Sequence, residues 1–331
     1  MPAERRVKQT HYYTQMTKPL KPINLHLNSV TVQDIETHKR IDTRALRKDL
    51  DNLKKFDAST NENNFAGNPF LYHYQFQNLL KCRREDGKTI YDIAADQEQW
   101  DKLIENTRVR NRGGRTAAGN VFECFRINLG SVVMFKSTTA KYLYKKYKAT
   151  GVLDPTAGWG GRMLGAWALG INYVGIDTNI EMTPAYDAMM TFLKEEAGEF
   201  GNGLFTEEND SNLKMIWQSC LDVDFSKIDY DFVLTSPPYV NLELYEHMTP
   251  WQKDEDFYKN FFIPLHTKCV THIKKGGNVA FNISPKMYED ALKFGLTPCD
   301  EEEDLKQQMG QKANSLKAGK KKQDKIYVWR C

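Results

Sequence analysis

The chain has 331 residues, of which 40% are hydrophobic and 27% are charged, and its formal net charge is +3. This length is sufficient for a full hydrophobic core, and no window reaches the roughly 18 apolar residues of a membrane span. The chain has six cysteines without a Cys-x-x-Cys pair and seven histidines without an i, i+4 pair. This pattern predicts neither a metal site nor a disulfide framework. Together with a beginning unlike a signal peptide, it favours an intracellular protein.

Positive charge is concentrated in the first part of the chain. Residues 1–150 hold 27 Lys and Arg against 16 Asp and Glu, and the remainder holds 19 against 27. The pattern predicts an exposed, charged helix over residues 31–53, a polar linker over 61–69 and an aromatic helix over 70–76. We therefore expect a basic, mainly helical N-terminal region over residues 1–130 that contacts phosphates, and a catalytic domain over residues 131–331.

The densest basic segment of this region lies at residues 108–115. It contains Arg108, Arg110, Arg112 and Arg115, and two adjacent glycines predict a loop. Arginine can hold a phosphate or read guanine through paired hydrogen bonds. These four residues are our candidates for DNA contact, with an ordinary solvated charge run as the alternative.

A glycine-rich turn follows the next predicted strand. Residues 152–162 read Val-Leu-Asp-Pro-Thr-Ala-Gly-Trp-Gly-Gly-Arg, and residues 163–169 are typical of a helix. Glycines allow close approach of a ligand to the backbone, and in open α/β sheets ligands bind beyond the carboxyl ends of the strands. The alternative is a generic βαβ turn. The candidate binding residues of this turn are Asp154, Thr156, Gly158 and Gly160.

A second short strand, residues 172–177, ends in Asp177. An acid at this place in a nucleotide-binding βαβ unit can accept both hydroxyls of a ribose.

The chain later reads Thr-Ser-Pro-Pro-Tyr at residues 235–239, directly after the apolar run 232–234. Two prolines end a strand because they have no N–H groups to donate. The resulting rigid corner presents carbonyl groups that can accept hydrogen bonds from an amino group, beside a flat aromatic ring. Ser236, Pro237, Pro238 and Tyr239 therefore indicate a nucleobase pocket.

These motifs, in this order, resemble the S-adenosylmethionine-dependent amino-methyltransferases of DNA. The resemblance rests on Asp-Pro-x-x-Gly-x-Gly, Gly-x-Asp and Ser-Pro-Pro-Tyr, and covers residues 132–284 and 325–330. It implies an α/β, class I methyltransferase-like fold, with a mostly parallel seven-stranded sheet and helices on both faces. Too few residues separate turn and corner for an inserted recognition domain.

The same resemblance implies roles for single residues. The turn from Asp154 to Gly160 would hold the methionine part of S-adenosylmethionine, and Asp177 would hold its ribose. Asp222, expected to end the third strand, would meet the adenine ring, with Asp224 as the alternative.

Three residues before the predicted helix 140–147 complete the implied cofactor site. Phe135, Lys136 and Ser137 occupy the family's remaining cofactor segment, and the aromatic ring would pack on the methionine end. Ser137 or Thr138 is also a typical helix cap.

The implied chemistry is methylation of an amine rather than of a ring carbon. Carbon methylation of cytosine requires a cysteine nucleophile after the fourth strand, and the chain has Pro-Cys only at Pro298-Cys299. In the amino-methyltransferases, Ser at the first motif position is more typical of cytosine N4, and Asp or Asn of adenine N6. We therefore expect cytosine N4, with adenine N6, an RNA base amine, or a catalytically inactive DNA-binding protein as alternatives.

The expected partner is double-stranded DNA, from which the target base must be flipped out. The loop over residues 241–251 could close over the flipped base, and the lysine-rich segment 311–325 could contact phosphates. We expect no metal and no membrane, and the oligomeric state stays open. Compact enzymes of this kind occur in restriction–modification systems, phages and large viruses, which would place the protein in a bacterial or infected cell, or in a eukaryotic nucleus.

Overall fold

A computed structural model describes residues 26–60, 63–84, 87–110, 115–129, 133–199, 212–239, 243–244, 251–305 and 324–331. Within this part of the chain no helix is long and apolar enough to cross a membrane.

The N-terminal part of the described chain is helical. After a short 3₁₀ helix at Leu27–Ser29, its helices are α1 (Val32–Thr37), α2 (Thr43–Lys55), α3 (Asn68–Leu80), α4 (Ile90–Ala94), α5 (Gln97–Arg110) and α6 (Ala117–Leu129). The single helix predicted over residues 31–53 is in fact α1 and α2. Thr31 and Asp34 form a reciprocal cap at the start of α1, and Asp42 accepts from the Ala45 N–H at the start of α2. Two strong N-cap signals 11 positions apart favour two helices over one.

A mixed β-sheet forms the centre of the molecule. Its strands are β2 (Gly151–Asp154), β3 (Asn172–Asp177), β4 (Leu213–Trp217), β5 (Phe232–Thr235), β7 (Asn278–Ile283), β8 (Glu301–Asp304) and β9 (Lys325–Arg330). The described sheet has seven strands in the order β4-β3-β2-β5-β7-β9-β8, and β9 runs antiparallel to both its neighbours. The expected class I methyltransferase-like fold is confirmed.

Helices cover both faces of the sheet. The remaining helices are α7 (Ser137–Lys146), α8 (Gly161–Trp167), α9 (Thr183–Glu199), α10 (Asp254–Phe257), α11 (Ile263–His272) and α12 (Pro285–Lys293), with a π-helical turn at Tyr258–Phe262. Alternate strand residues belong to different cores: Phe232 and Leu234 lie with α7, α8 and α9, whereas Val233 lies with α11 and α12. This alternation follows from the two-residue period of a strand.

The N-terminal helices share the core on one of these faces. Phe70, Leu71 and Phe76 of α3 are buried in the same apolar cluster as Phe232 and Leu234 of the sheet. The aromatic residues of α3 therefore serve mainly as core, as is usual for aromatics at helical spacing.

Helix α3 also reaches the edge of the sheet where its parallel strands end. At its start, a Cβ on Gly67 would lie 3.0 Å from Ser137 Oγ. Just after its end, Lys81 pairs with Glu181 at 3.4 Å, in the turn that follows β3. The chain then forms β1 (Arg83–Arg84), which pairs with β6 (Glu243–Leu244), shortly after the Pro-Pro corner. The N-terminal region is thus joined by backbone pairing to the chain that follows the corner.

Candidate active site

The glycine-rich turn and the Pro-Pro corner meet at one edge of the sheet. They follow β2 and β5, which are parallel neighbours with Val152 opposite Phe232, so both loops leave at the carboxyl edge. The Thr156 hydroxyl donates to the main-chain carbonyl of Ser236 at 3.0 Å and lies 2.6 Å from the Thr235 hydroxyl. Because Thr156 has a single proton, the Thr235 hydroxyl donates to Thr156 Oγ1.

Arg162 ties the same two loops together through its side chain. It lies in the first turn of α8, and its Nη1 donates to Ser236 Oγ at 3.0 Å. Its Nε donates to Asp154 Oδ2 at 2.6 Å, and the Tyr173 hydroxyl donates to the same oxygen at 2.7 Å. Arg162 is only 4% exposed and Asp154 is fully buried. Asp154 therefore anchors the arginine inside the protein instead of facing a ligand.

The buried carboxylate of Asp154 affects the pKa values of both Arg162 and Tyr173. Burial by itself would lower the pKa of Arg162, but the charge of Asp154 and the hydrogen bond to it raise that pKa above its ordinary value. Burial, together with the charge of Asp154, raises the pKa of Tyr173 well above its usual value. Arg162 is therefore a cation, and Tyr173 a hydrogen-bond donor, at neutral pH.

The hydroxyl of Ser236 accepts two hydrogen bonds within the protein. Besides Arg162, Asn282 of β7 donates through Nδ2 to Ser236 Oγ at 3.0 Å. A hydroxyl has two lone pairs and one proton, so both acceptor positions are taken and the proton remains to be donated. No acceptor position of this hydroxyl is therefore left for a base amine, and the carbonyl groups of the corner remain as acceptors.

The glycine turn has the backbone conformation that its sequence predicts. Gly158 and Gly160 have φ values of +57° and +85°, a region that favours glycine. The Gly158 N–H donates to Asp177 Oδ2 at 2.8 Å, and the Tyr186 hydroxyl donates to the Gly158 carbonyl at 2.8 Å. A Cβ on Gly158 would meet only Arg162 Nη2, at 4.0 Å, so this bend faces open space beside a carboxylate.

Asp177 closes the other side of that space. Its two oxygens accept from the backbone N–H groups of Gly158 and Asn179, at 2.8 and 2.9 Å. Burial raises the pKa of Asp177, and these two hydrogen bonds oppose the rise. Since a carboxylate can accept about four hydrogen bonds, two acceptor positions remain for the hydroxyls of a ribose.

The segment before α7 packs directly on the glycine turn. A Cβ on Gly161 would lie 1.9 Å from the Phe135 carbonyl oxygen, so only glycine permits this approach. The Phe135 ring lies 5.3 Å from the Arg162 guanidinium, a favourable cation–π distance. Phe135 therefore borders the residues that join the turn to the corner.

The next two residues of the segment, Lys136 and Ser137, pack against residues 63–67. Lys136 Nζ donates to Asn63 Oδ1 and lies 5.1 Å above the Phe65 ring. Burial lowers the pKa of Lys136. Ser137 is fully buried and faces Gly67 at the start of α3. Three residues of this segment were expected to contact the cofactor. Of these, Phe135 is the one whose carbonyl packs on Gly161 and whose ring packs on Arg162, beside the glycine-rich turn.

Asp222 does not end a strand, contrary to the prediction. Strand β4 ends at Trp217, and Asp222 is an exposed residue of the following turn, its N–H bonded to the Ser219 carbonyl at 3.0 Å. The alternative, Asp224, caps a short 3₁₀ helix by accepting from the Ser226 N–H at 3.1 Å. The residues between β4 and Asp222 form a turn because Ser219 bonds its own backbone neighbours.

The remaining residues of the corner are held by the end of the chain. The Tyr239 hydroxyl donates to Asp324 Oδ2 at 2.6 Å, and Asp324 directly precedes β9. Pro237 is buried, and Pro238 and Tyr239 are half-buried. Trp251 packs on Phe257 with ring centroids 5.9 Å apart. Most of the predicted closing loop, residues 241–242 and 245–250, lies outside the described residues, as do residues 311–323 of the lysine-rich segment.

Three residues of this site were not singled out from the sequence. Arg162 had a visible signal, since it is a cation at the start of an otherwise apolar helix. Asn282 is a polar residue in an apolar strand, which is a weaker signal. Asp324 carried no signal in its lysine-rich surroundings, because its partner Tyr239 is distant in the sequence.

The predicted DNA-binding arginines do not form a single loop. Arg108 and Arg110 lie in the last turn of α5, where Arg108 bonds Glu105 at 2.6 Å. Arg112 lies outside the described residues. Arg115 precedes α6 and its Nη1 lies 3.5 Å from Glu123 Oε2.

Within the described residues, no cluster of three or more His, Cys, Asp or Glu side chains could hold a metal ion. Cys299 is remote from the corner, and its N–H donates to the Tyr288 hydroxyl at 2.9 Å.

Searches against protein families and against curated protein sequences find no match. Among solved structures, the chain is similar to TrmN from Thermus thermophilus, with a TM-score of 0.37, 15% identity, and coverage of 58% of this chain and 48% of that one. It is also similar to an RNA methyltransferase from Salinibacter ruber, solved with S-adenosyl-L-homocysteine, with a TM-score of 0.33, 12% identity, and coverage of 60% and 93%.

A third similar structure is an rRNA methylase from Streptococcus thermophilus, with a TM-score of 0.35, 10% identity, and coverage of 60% of this chain and 96% of that one. At such low identities and TM-scores these similarities carry no functional assignment. Any assignment of function therefore rests on the strand order of the sheet and on the geometry at its carboxyl edge.

Proposed function

We propose that the protein is an S-adenosylmethionine-dependent methyltransferase that modifies an exocyclic amine of a base in DNA, with cytosine N4 preferred. The observation that carries this proposal is the pair of contacts from Thr156 and Arg162 to Ser236, at 3.0 Å each. They hold a glycine turn suited to a nucleoside cofactor against a corner suited to a base amine. In-line methyl transfer requires donor and acceptor to be adjacent.

The residues at the edge fit the cofactor. Asp177 has acceptor capacity left for the ribose hydroxyls, and Gly158 leaves open space beside it. Phe135 would border the methionine end, next to Arg162. When bound, S-adenosylmethionine supplies an electrophilic methyl group. We keep Asp222 as a candidate for the adenine ring, since it is exposed and follows β4.

The corner would orient the amine and its neighbouring ring atom. The lone pair of an exocyclic amine is delocalised into the ring, and hydrogen bonds from its N–H groups to carbonyl oxygens would favour a pyramidal nitrogen. The Pro237 carbonyl is our candidate acceptor. Because Ser236 Oγ already accepts from Arg162 and Asn282, its proton would go to the ring nitrogen beside the amine, which is N3 in cytosine.

Tyr239 would stack on the flipped base. Stacking of a base on an aromatic ring contributes about 1–3 kcal/mol in single-strand binding proteins, which offsets part of the cost of extrusion from a duplex. The hydrogen bond from Tyr239 to Asp324 at 2.6 Å would fix the ring in one orientation.

Three alternative functions are compatible with the geometry of this site. Adenine N6 is flanked by N1, an acceptor that Ser236 could also serve, so adenine in DNA is the nearest alternative. A base amine in RNA is the next, because the corner reads the base and not the sugar. A DNA-binding protein without catalysis is the third; an intact turn, Asp177 and corner argue against it. We place the protein inside the cell, where DNA and the cofactor are found.

The test is to incubate the protein with methyl-labelled cofactor and either mixed-sequence duplex DNA or total RNA, then digest to nucleosides for mass spectrometry. We expect label on N4-methyldeoxycytidine. Ser236→Ala should reduce the label strongly, whereas Ser226→Ala, an exposed serine beyond β4, should not.

The possible outcomes separate the alternatives. Label on N6-methyldeoxyadenosine would show that the target base is adenine instead of cytosine, and the assignment of the active site would stand. Label found only in RNA would show that the substrate is RNA and not DNA. Absence of cofactor binding by calorimetry, with no label in either polymer, would refute the enzyme assignment.

A further inference from the structure

Three cations from separate parts of the chain converge on the outer side of α3. Lys39 follows α1, Arg115 precedes α6, and Arg126 lies near the end of α6. Lys39 Nζ lies 5.1 Å from the centre of the Tyr72 ring. We call Lys39, Arg115, Arg126 and Tyr72 the basic cluster. Since 87 positions separate Lys39 from Arg126 in the sequence, this grouping is visible only in the fold.

Glu123 is the acid within this cluster, and its carboxylate is already engaged. Arg126 donates to both of its oxygens, from Nε at 3.1 Å and from Nη2 at 2.7 Å. Arg115 Nη1 lies 3.5 Å from Glu123 Oε2. One carboxylate facing three cations leaves an excess of two positive charges.

Lys39 contributes one of these two charges. It is half-buried, and among the described residues it forms no ion pair with a carboxylate. Burial lowers its pKa, and the charges of Arg115 and Arg126 lower it further, with a partial opposing effect from Glu123. A half-buried ammonium beside two guanidinium groups is unfavourable by itself, and an anion placed between them would relieve the repulsion.

We propose that the basic cluster binds a backbone phosphate of the nucleic acid substrate. Arginine guanidinium groups and a lysine ammonium are the donors that hold phosphate in proteins. Arg115 and Arg126 are 40% and 36% exposed at their side chains, so their free N–H groups can reach a ligand. This proposal rests on the proposed function, because it names how that substrate is held.

The position of the cluster favours a nucleic acid over another anion. Tyr72 lies on α3, whose start adjoins Ser137 and whose end is followed by the Lys81–Glu181 pair and by β1, beside the chain after the corner. Helix α3 therefore contacts the chain near the catalytic edge at both of its ends and the basic cluster through Tyr72. A polymer with its target base at the edge would have further phosphates available to the cluster.

The test measures binding without catalysis. Fluorescence anisotropy would follow the wild-type protein, Lys39→Gln, Arg115→Gln and the double variant with labelled mixed-sequence duplex DNA and with a structured RNA of equal length, over a range of salt concentrations. Lys48→Gln, an exposed lysine of α2 with the same charge change, is the matched control. Circular dichroism would check the fold of every variant.

We expect each single variant to weaken binding about five- to tenfold at moderate salt, and the double variant to reduce the slope of log Kd against log salt by about 1. Lys48→Gln should leave both unchanged. Loss with DNA or with RNA identifies which polymer supplies the phosphate. Unchanged affinity and slope with both polymers would overturn the proposal, while label transfer from the cofactor in the same preparation would show that the proposed function still stands.

Discussion

Arg162 and Ser236 lie 74 positions apart in the sequence, yet Nη1 of the arginine donates to Oγ of the serine at 3.0 Å. The arginine lies in the first turn of the helix after the glycine turn, and the serine begins the corner after β5. Asp154, at the end of β2, holds the other side of the guanidinium at 2.6 Å. One buried cation thus fixes the relative position of two loops that would bind a cofactor and a base.

Removal of this cation should strongly destabilise the fold. Arg162→Met would leave Asp154 charged, fully buried and paired only with Tyr173, so we expect a loss of about 3–5 kcal/mol in the free energy of unfolding, measured by urea denaturation. Adding Asp154→Asn should restore part of that loss. Lys286→Met, which breaks an exposed pair with Asp290, should cost less than about 1 kcal/mol. Equal effects of Arg162→Met and Lys286→Met would contradict this role.

Cofactor affinity should depend on Asp177. Asp177→Ala removes two acceptor positions expected for ribose, and each such hydrogen bond contributes about 1–1.5 kcal/mol, so calorimetry should show an affinity loss of about 30- to 150-fold. Asp224→Ala, which removes an exposed helix cap, should not change affinity. Asp222→Ala in the same series decides whether Asp222 contacts the adenine: an affinity equal to that of Asp224→Ala would remove it from the site.

The proton of Ser236 should distinguish between bases that differ at one ring atom. Once the target position is known, a substrate with 3-deazacytosine there lacks the ring acceptor and should react about tenfold more slowly with the wild-type protein, the effect of about one lost hydrogen bond. Ser236→Ala should react slowly with both substrates and should not discriminate between them. If Ser236→Ala discriminated as well as the wild type, Ser236 would not be the donor.

Stability should fall as the pH drops through the mildly acidic range. His266 is 6% exposed, its ring lies 4.4 Å from that of Trp329, and burial lowers its pKa from 6.5 to about 4. Between these values the unfolded chain binds a proton that the folded protein does not, so stability decreases as pH falls, by up to about 3 kcal/mol from this group. Denaturation of wild type and His266→Phe at pH 7.5 and 5 should show a smaller decrease for the variant; parallel decreases would exclude His266 as a source.

Local sequence signals predicted much of the fold. The Pro-Pro pair ends β5 at Thr235, and β3 has the predicted bounds Asn172–Asp177. These elements are fixed by proline chemistry and by apolar runs, which act within a few residues. The break between α1 and α2 was missed because a continuous charged pattern concealed the cap at Asp42.

The candidate site was only partly visible for a different reason. Its glycines and Asp177 carry a local signature, because their backbone conformation or strand position requires those residue types. The roles of Asn282 and Asp324 depend on which residue lies opposite them across the fold, and spacing in the sequence contains no information on that. The same holds for Lys39 and Arg126, which approach each other only once α1 and α6 pack against α3.

The most direct measurement is a crystal structure of the protein with S-adenosyl-L-homocysteine. We predict that the ribose hydroxyls bond to Asp177 and that the sulfur atom points toward Ser236 and Pro237 at the corner. A ligand bound at another surface, or one whose sulfur is separated from the corner by the Arg162–Asp154 pair, would contradict the assignment of a single site for cofactor and base.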